Sequence, residues 1–150
     1  MERHRPRTEP PRGQPRRSDR RRVLFQSDWG LQIFPDDPTR VRFADGSYIS
    51  RARMPGGRPA AGHLTAAPDF VFEVVSPNDL ASELDRKVHE YLEAGVPLVW
   101  VIHPDTRSAQ VFRKDAPVDV IIAGGTLDGG AVLPGFACAL ADLFAAADVR

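Results

Sequence analysis

The sequence predicts a mixed α/β sheet with helices packed against it, and three consecutive stretches carry that expectation. Phe70-Val71-Phe72-Glu73-Val74-Val75 is a nearly continuous apolar run, the pattern of a strand covered on both faces. A helical pattern follows from about Asp79 to Ala94, terminated by Gly95 and Pro97, and Leu98-Val99-Trp100-Val101-Ile102 is a second buried strand. A strand, a helix of about four turns and another apolar strand form a βαβ-like crossover, so these two strands are expected to be parallel.

The other elements fall around that unit. Val23 to Phe34 has strand character with Gly30 marking a bend, and Pro35-Asp36-Asp37-Pro38 is turn chemistry. A second extended piece runs from Val41 to about Ser50. Pro55, Gly56, Gly57, Pro59, Gly62 and Pro68 exclude regular structure over residues 54 to 68. Ser76-Pro77-Asn78 offers caps for the helix that follows. Pro104-Asp105-Thr106-Arg107 reads as a turn into an extended Ser108 to Arg113, and Val118 to Ala123 as one more strand. A Gly-rich turn, the segment Leu133-Pro134-Gly135-Phe136 and a short helix from about Leu140 to Ala147 complete the chain.

The formal net charge of zero hides an asymmetry. Residues 1–22 carry nine arginines against Glu2, Glu9 and Asp19, with four prolines and almost nothing apolar, so this arm is +6 and residues 23–150 are −6. Such an arm cannot bury enough surface to offset its ordering entropy and reads as disordered, followed by a folded domain over 23–150. The acidic body argues against nonspecific nucleic-acid binding by the folded part, whereas the arm suits any polyanion. One cysteine, Cys138, rules out an internal disulfide framework and a Cys-rich zinc site. No stretch is apolar enough to cross a bilayer, and residues 1–22 lack the apolar block of a signal peptide. A soluble cytoplasmic protein with no membrane partner is the expectation.

Glu73 within an apolar strand is the feature that needs a reason, because an unpaired buried charge costs several kcal/mol. Alternation places Asp69, Val71, Glu73 and Val75 on one side of the strand and Phe70, Phe72 and Val74 on the other. Asp69 and Glu73 are separated by ~13 Å along the strand, too far to share one ion easily. A carboxylate partner must come from a neighbouring strand, and Asp45 is the natural candidate. On the helix, Leu80, Leu84, Lys87 and Tyr91, flanked by Val88, form a core-facing stripe with a lysine at its centre, while Arg86, His89 and Glu93 point away. Two carboxylates and a lysine at one sheet edge suit metal-assisted phosphodiester hydrolysis, in which hard oxygen ligands hold Mg²⁺ and the ammonium stabilises growing negative charge. The alternative is a buried Glu73 to Lys87 ion pair that only fixes register.

Asp45 in Phe43-Ala44-Asp45-Gly46-Ser47-Tyr48-Ile49, Pro68-Asp69-Phe70-Val71-Phe72-Glu73-Val74-Val75-Ser76-Pro77, Lys87 with Tyr91 and Gly95-Val96-Pro97, and Val99-Trp100-Val101-Ile102-His103-Pro104 form an ordered series. Together with Leu127-Asp128-Gly129-Gly130 and Leu133-Pro134-Gly135-Phe136, it resembles the Uma-type family of "putative restriction endonucleases" in the PD-(D/E)XK nuclease-like superfamily, over roughly residues 25 to 145. The resemblance implies a restriction-endonuclease-like mixed sheet flanked by helices. Carried over by position, Asp45 and Glu73 match the metal-binding carboxylates, for Mg²⁺ or Mn²⁺. Lys87 matches the catalytic lysine, displaced onto the helix because Val75 stands where the usual pattern puts it. Asp69 is left a supporting role at most. Family members begin with a longer region bearing a helix and an early strand pair, and Ala44 replaces the proline before the first aspartate. The core is therefore expected to lack the usual N-terminal part or to be completed by a second copy of the chain.

The remaining candidates read as structural. His103 ends a strand, His63 and His89 lack ligand-spaced companions for zinc, and Cys138 fills a small-residue stretch. Ser76 reads as a helix cap, and the glycines at 124 to 130 lack the lysine of a phosphate loop. The function expected is a Mg²⁺-dependent endonuclease acting on DNA. The alternative is a catalytically inactive nuclease-fold module for interaction or nucleic-acid binding.

Overall fold

The computed structural model describes residues 22–26 as backbone, and residues 29–54, 56 and 62–148; the arm up to residue 21 lies outside them. Six strands form one sheet in chain order: β1 (Arg22–Gln26), β2 (Gly46–Ser50), β3 (Phe70–Val74), β4 (Val99–His103), β5 (Ser108–Phe112) and β6 (Asp119–Ile121). Neighbours are antiparallel except β3 and β4, which run parallel with Glu73 beside Val101. That parallel pair is the one joined by α1 (Ala81–Glu93), because parallel strands need a crossover long enough to return the chain to the same end. The expected βαβ unit is present.

The alternation read from the sequence separates two cores. Val71, Val99, Val101 and Ile49 face Val88 and Tyr91 of α1 on one side of the sheet. On the other side Phe70, Trp100, Ile102, Ala109 and Val111 pack with Leu140 and Phe144 of α2 (Leu140–Ala147). Leu127 joins this second core from a small sheet of β7 (Thr126–Asp128) and β8 (Ala137–Ala139). Each fully buried side chain of this size contributes about 1.5–3 kcal/mol, so burial on both faces holds β3 and β4 at the centre. Between β2 and β3 the contact is close: a Cβ at Gly46 would collide with the Phe72 ring, so the residue after Asp45 must be glycine for that ring to lie across the strand.

The end of α1 is built as its sequence suggests. Gly95 adopts φ +94°, the Gly95 N–H donates to the Leu92 carbonyl at 3.1 Å, and the Val96 N–H donates to the Tyr91 carbonyl at 3.0 Å. These are the two bonds of a Schellman cap, and the positive φ is what a side chain would strain. Gly95→Ala is expected to cost about 1–2 kcal/mol, since open space around the position leaves backbone strain as the whole effect. Urea denaturation measures it, and an unchanged midpoint would contradict it.

Five expectations are corrected. The first strand ends at Gln26 instead of continuing to Phe34; Leu31 forms separate bridges to Arg42 and Leu64. Ser76 does not cap α1: its N–H donates to the Asp79 carboxylate at 2.7 Å in a turn, and the helix begins after Leu80 with no side-chain cap. Leu80 leaves the core-facing stripe because it sits at that N-terminus, 70% exposed. The Gly-rich region after residue 124 contains β7 and β8 in addition to turns, and the strand expected over 118–123 narrows to three residues.

Candidate active site

Glu73 is buried because Val71, on the same face of β3, and Val101, beside it on β4, are buried with it, and its side chain meets α1. Both carboxylate oxygens meet donors on that helix. Lys87 Nζ lies 3.2 Å from Oε2, and the Tyr91 hydroxyl donates to Oε1 at 2.8 Å. Lys87 and Tyr91 stand four residues apart and therefore share a helix face. Val88 and Tyr91 anchor that face in the core, while the Lys87 side chain stays 25% exposed and opens the pair to solvent on one side.

Asp45 immediately precedes β2. Continuing the β2 to β3 register from Gly46 opposite Phe72 by one residue sets Asp45 opposite Glu73, and opposed residues project to the same face. Asp45 Oδ2 accepts the Val74 N–H at 2.6 Å, a donor that points towards β2 beyond the last ladder pair. The carboxylate thus closes the end of the ladder and is held beside Glu73.

The electrostatics follow from this crowding. Burial pushes the Glu73 carboxyl above the usual carboxylate range; the Tyr91 hydroxyl and the Lys87 ammonium pull it back, and the Asp45 charge pushes it further up. Burial and the adjacent Glu73 also push the Tyr91 hydroxyl far above its ordinary value, so Tyr91 acts as a donor at every working pH. Tyr91→Phe is expected to leave Glu73 Oε1 without its donor and to destabilise the fold by about 1–3 kcal/mol. Chemical denaturation at neutral pH checks it, and a loss below a few tenths would show that another donor replaces the phenol.

Of the expected residues, the structure brings Asp45, Glu73 and Lys87 to one place and leaves Asp69 elsewhere. The Asp69 carboxylate accepts the Ser50 N–H at 2.7 Å and pairs with the Arg53 guanidinium, at the opposite end of the β2 to β3 ladder. Arg86, His89 and Glu93 are exposed on the outer face of α1. His103 sits at the end of β4 with its Nε2 3.1 Å from the Gln110 side chain, and His63 packs edge-on against Phe43. Tyr91 is the residue that sequence reasoning passed over: it was counted with the apolar stripe, and its spacing from Lys87 was the available signal.

The donor set decides which metals fit. Among the described residues no group of three or more His, Cys, Asp or Glu converges, which fails the requirement of a structural zinc site. Two carboxylates are enough for Mg²⁺, which keeps several waters and takes one or two carboxylates plus substrate phosphate oxygens. Each carboxylate oxygen has a second lone pair, so the bonds from Lys87, Tyr91 and the Val74 N–H leave acceptor capacity on both groups. A cavity of about 450 Å³ lies on the other face of the sheet, lined by side chains such as Phe70, Phe72, Trp100, Phe136 and Phe144. Its lining is almost wholly apolar, with Tyr48 and Cys138 but no carboxylate, histidine or lysine, so the carboxylate and ammonium chemistry belongs to the Glu73 side.

Comparison with known proteins agrees with this architecture. Residues 12–141 match the model of the Uma2 family, described as "Putative restriction endonuclease". The match begins inside the Arg/Pro-rich segment. Among solved structures, the chain is similar to a "putative nuclease belonging to DUF820" from Anabaena variabilis ATCC 29413, with a TM-score of 0.70 and 21% identity over 85% of this chain and 70% of that one. That likeness establishes the nuclease-like α/β fold. No curated protein matches the chain. With the family model covering most of the sequence and the sheet, crossover helix and second core all in place, the chain belongs to the Uma2 family.

Proposed function

We propose that this protein is a Mg²⁺-dependent endonuclease that hydrolyses DNA phosphodiester bonds at Asp45, Glu73 and Lys87. One observation carries the reading: Asp45, just before β2, is held against the end of β3 by the Val74 N–H beside Glu73, and the covering helix brings the Lys87 ammonium to 3.2 Å from Glu73. A bound divalent ion would polarise the phosphate and acidify a water. Asp45 and Glu73 would hold it with oxygen ligands, Mn²⁺ serving in its place. Tyr91 fixes the Glu73 carboxylate, and Lys87, open to solvent on one side, orients the attacking water or offsets charge growing on phosphorus. The test is nicking of supercoiled plasmid by the full chain in Mg²⁺ and in EDTA. Cleavage confined to Mg²⁺ or Mn²⁺ supports the proposal; neither nicking nor a calorimetric signal for either ion overturns it.

The engagement of both Glu73 oxygens by Lys87 and Tyr91 favours one other reading, a silent nuclease-fold module in which the buried pair fixes the register of α1. In either case the arginines of the N-terminal segment supply a sequence-independent attraction to DNA. Removing residues 1–21 is expected to flatten the dependence of log affinity on log salt, since each phosphate neutralised contributes about 0.9 to the slope. Equal slopes for the two chains would refute a contribution from the arm.

A further inference from the structure

We propose that Arg42 is a positioning residue for this site: from the segment that carries Asp45 it clamps the helix that carries Lys87 and Tyr91. The inference rests on the metal-dependent reading above. Arg42 lies three residues before Asp45, and its backbone is bonded both ways to Leu31, with N to O distances of 2.7 and 3.0 Å. From this anchored position its guanidinium forks onto Glu90, Nε to Oε2 at 2.8 Å and Nη2 to Oε1 at 3.1 Å. Nη1 reaches Glu83 Oε1 at 3.2 Å.

These two acceptors bracket Lys87. Glu83 is one turn before it, Glu90 is three residues after it, and Glu90 adjoins Tyr91 in sequence. The side chains of Arg42 and Glu90 are 21% and 13% exposed, so solvent screens this pair less than the exposed ion pairs of the surface. A second route runs beside the first. Arg40 lies 3.6 Å from Glu90 and its guanidinium sits over the Phe34 ring at 5.5 Å, while Phe34 packs against Tyr91 with ring centroids 6.4 Å apart.

The geometry matters because α1 meets the sheet mainly through apolar side chains: Val88 and Tyr91 are buried, and Leu84 and Leu92 pack partly buried against the same core. Apolar packing of this kind resists separation from the sheet more than it fixes the rotation of the helix about its axis. A bidentate fork fixes both distance and direction, which a lysine, as a point charge, does not. Arg42 thereby sets how far the Lys87 ammonium stands from the Asp45 and Glu73 carboxylates without touching either.

The experiment uses the full chain with Arg42→Gln, Arg42→Lys and Glu90→Gln, assayed well below their melting temperatures. Arg113→Gln, which removes the Arg113 to Asp119 pair at the β6 edge, is the control. Because neither Asp45 nor Glu73 is carried by α1, Mn²⁺ affinity by calorimetry is expected to hold within about twofold, while kcat for nicking falls on the order of 10- to 100-fold and KM for DNA stays near its original value. Arg42→Lys should lose as much as Arg42→Gln, and the control nothing. A lowered melting temperature with unchanged kcat in Arg42→Gln overturns the inference, as does full activity in Arg42→Lys. If the unsubstituted chain neither binds Mn²⁺ nor nicks DNA, the nuclease reading itself has failed and the inference falls with it.

Discussion

Glu73→Gln is expected to abolish metal uptake and strand cleavage while leaving the metal-free protein at least as stable as the original at neutral pH. The Glu73 carboxyl is pushed above its ordinary value mainly by burial, so folding holds its proton more tightly than the unfolded chain does. Its contribution to stability is fully present below the unfolded value and is lost as pH rises through the folded one. Glutamine keeps the neutral form at every pH and can still accept from the Tyr91 hydroxyl through its amide oxygen. The difference in melting temperature between the two proteins should therefore shift in favour of the glutamine form as pH rises from acid towards neutrality. Magnesium reverses the order: at a hundred times its Kd it stabilises the original chain by about 2.7 kcal/mol, and the variant gains nothing. Thermal melts with and without Mg²⁺ read both effects. A metal-free variant much less stable than the original would show that Glu73 serves architecture.

Lys87→Met is expected to lower nicking by about 10²–10³-fold, the loss typical when one charge-stabilising donor is removed from a reacting centre. Methionine keeps the length and apolar stem of the side chain, and the helix face around it depends on Val88 and Tyr91 for its burial. The stability cost should be moderate. The Tyr91 hydroxyl still donates to Glu73, and Lys87 is partly exposed, so the remaining carboxylate is under-satisfied by one donor at about 1–3 kcal/mol. Combining Lys87→Met with Glu73→Gln separates the two roles of the lysine. In a purely structural pair the second change restores most of the lost stability and nicking is unaffected by either. In the nuclease, Mn²⁺ binding survives Lys87→Met and cleavage does not.

The central unit was legible because each of its elements is long enough to show a period. Phe70 to Val74 and Val99 to His103 read as buried strands from continuous apolar residues, and the helix between them from its repeat and its Gly95 stop. Strand parity and helix stripe together placed Glu73 and Lys87 on facing surfaces. The nearness of Asp45 to Glu73 needed the β2 to β3 register, which only the paired backbone supplies. Tyr91 was hidden because a phenol in an apolar stripe looks like core; its hydroxyl matters only once Glu73 is seen beneath it. Ser76 misled because Asp79, three residues on, competes for the same backbone donors and takes the turn before the helix begins. β7 and β8 are three residues each, and their pairing joins segments about ten residues apart across glycine turns, so no local period announces them. The Arg42 clamp was equally silent, since 48 residues separate its guanidinium from Glu90.

Diffraction at the manganese absorption edge from crystals soaked in Mn²⁺ tests the central claim most directly. The account predicts an anomalous peak between Asp45 and Glu73, within ~2.0 to 2.6 Å of an oxygen from each carboxylate, with Lys87 still directed at the same pocket. A peak at Asp69 or at another acidic cluster, or none between Asp45 and Glu73 at saturating Mn²⁺, would contradict it.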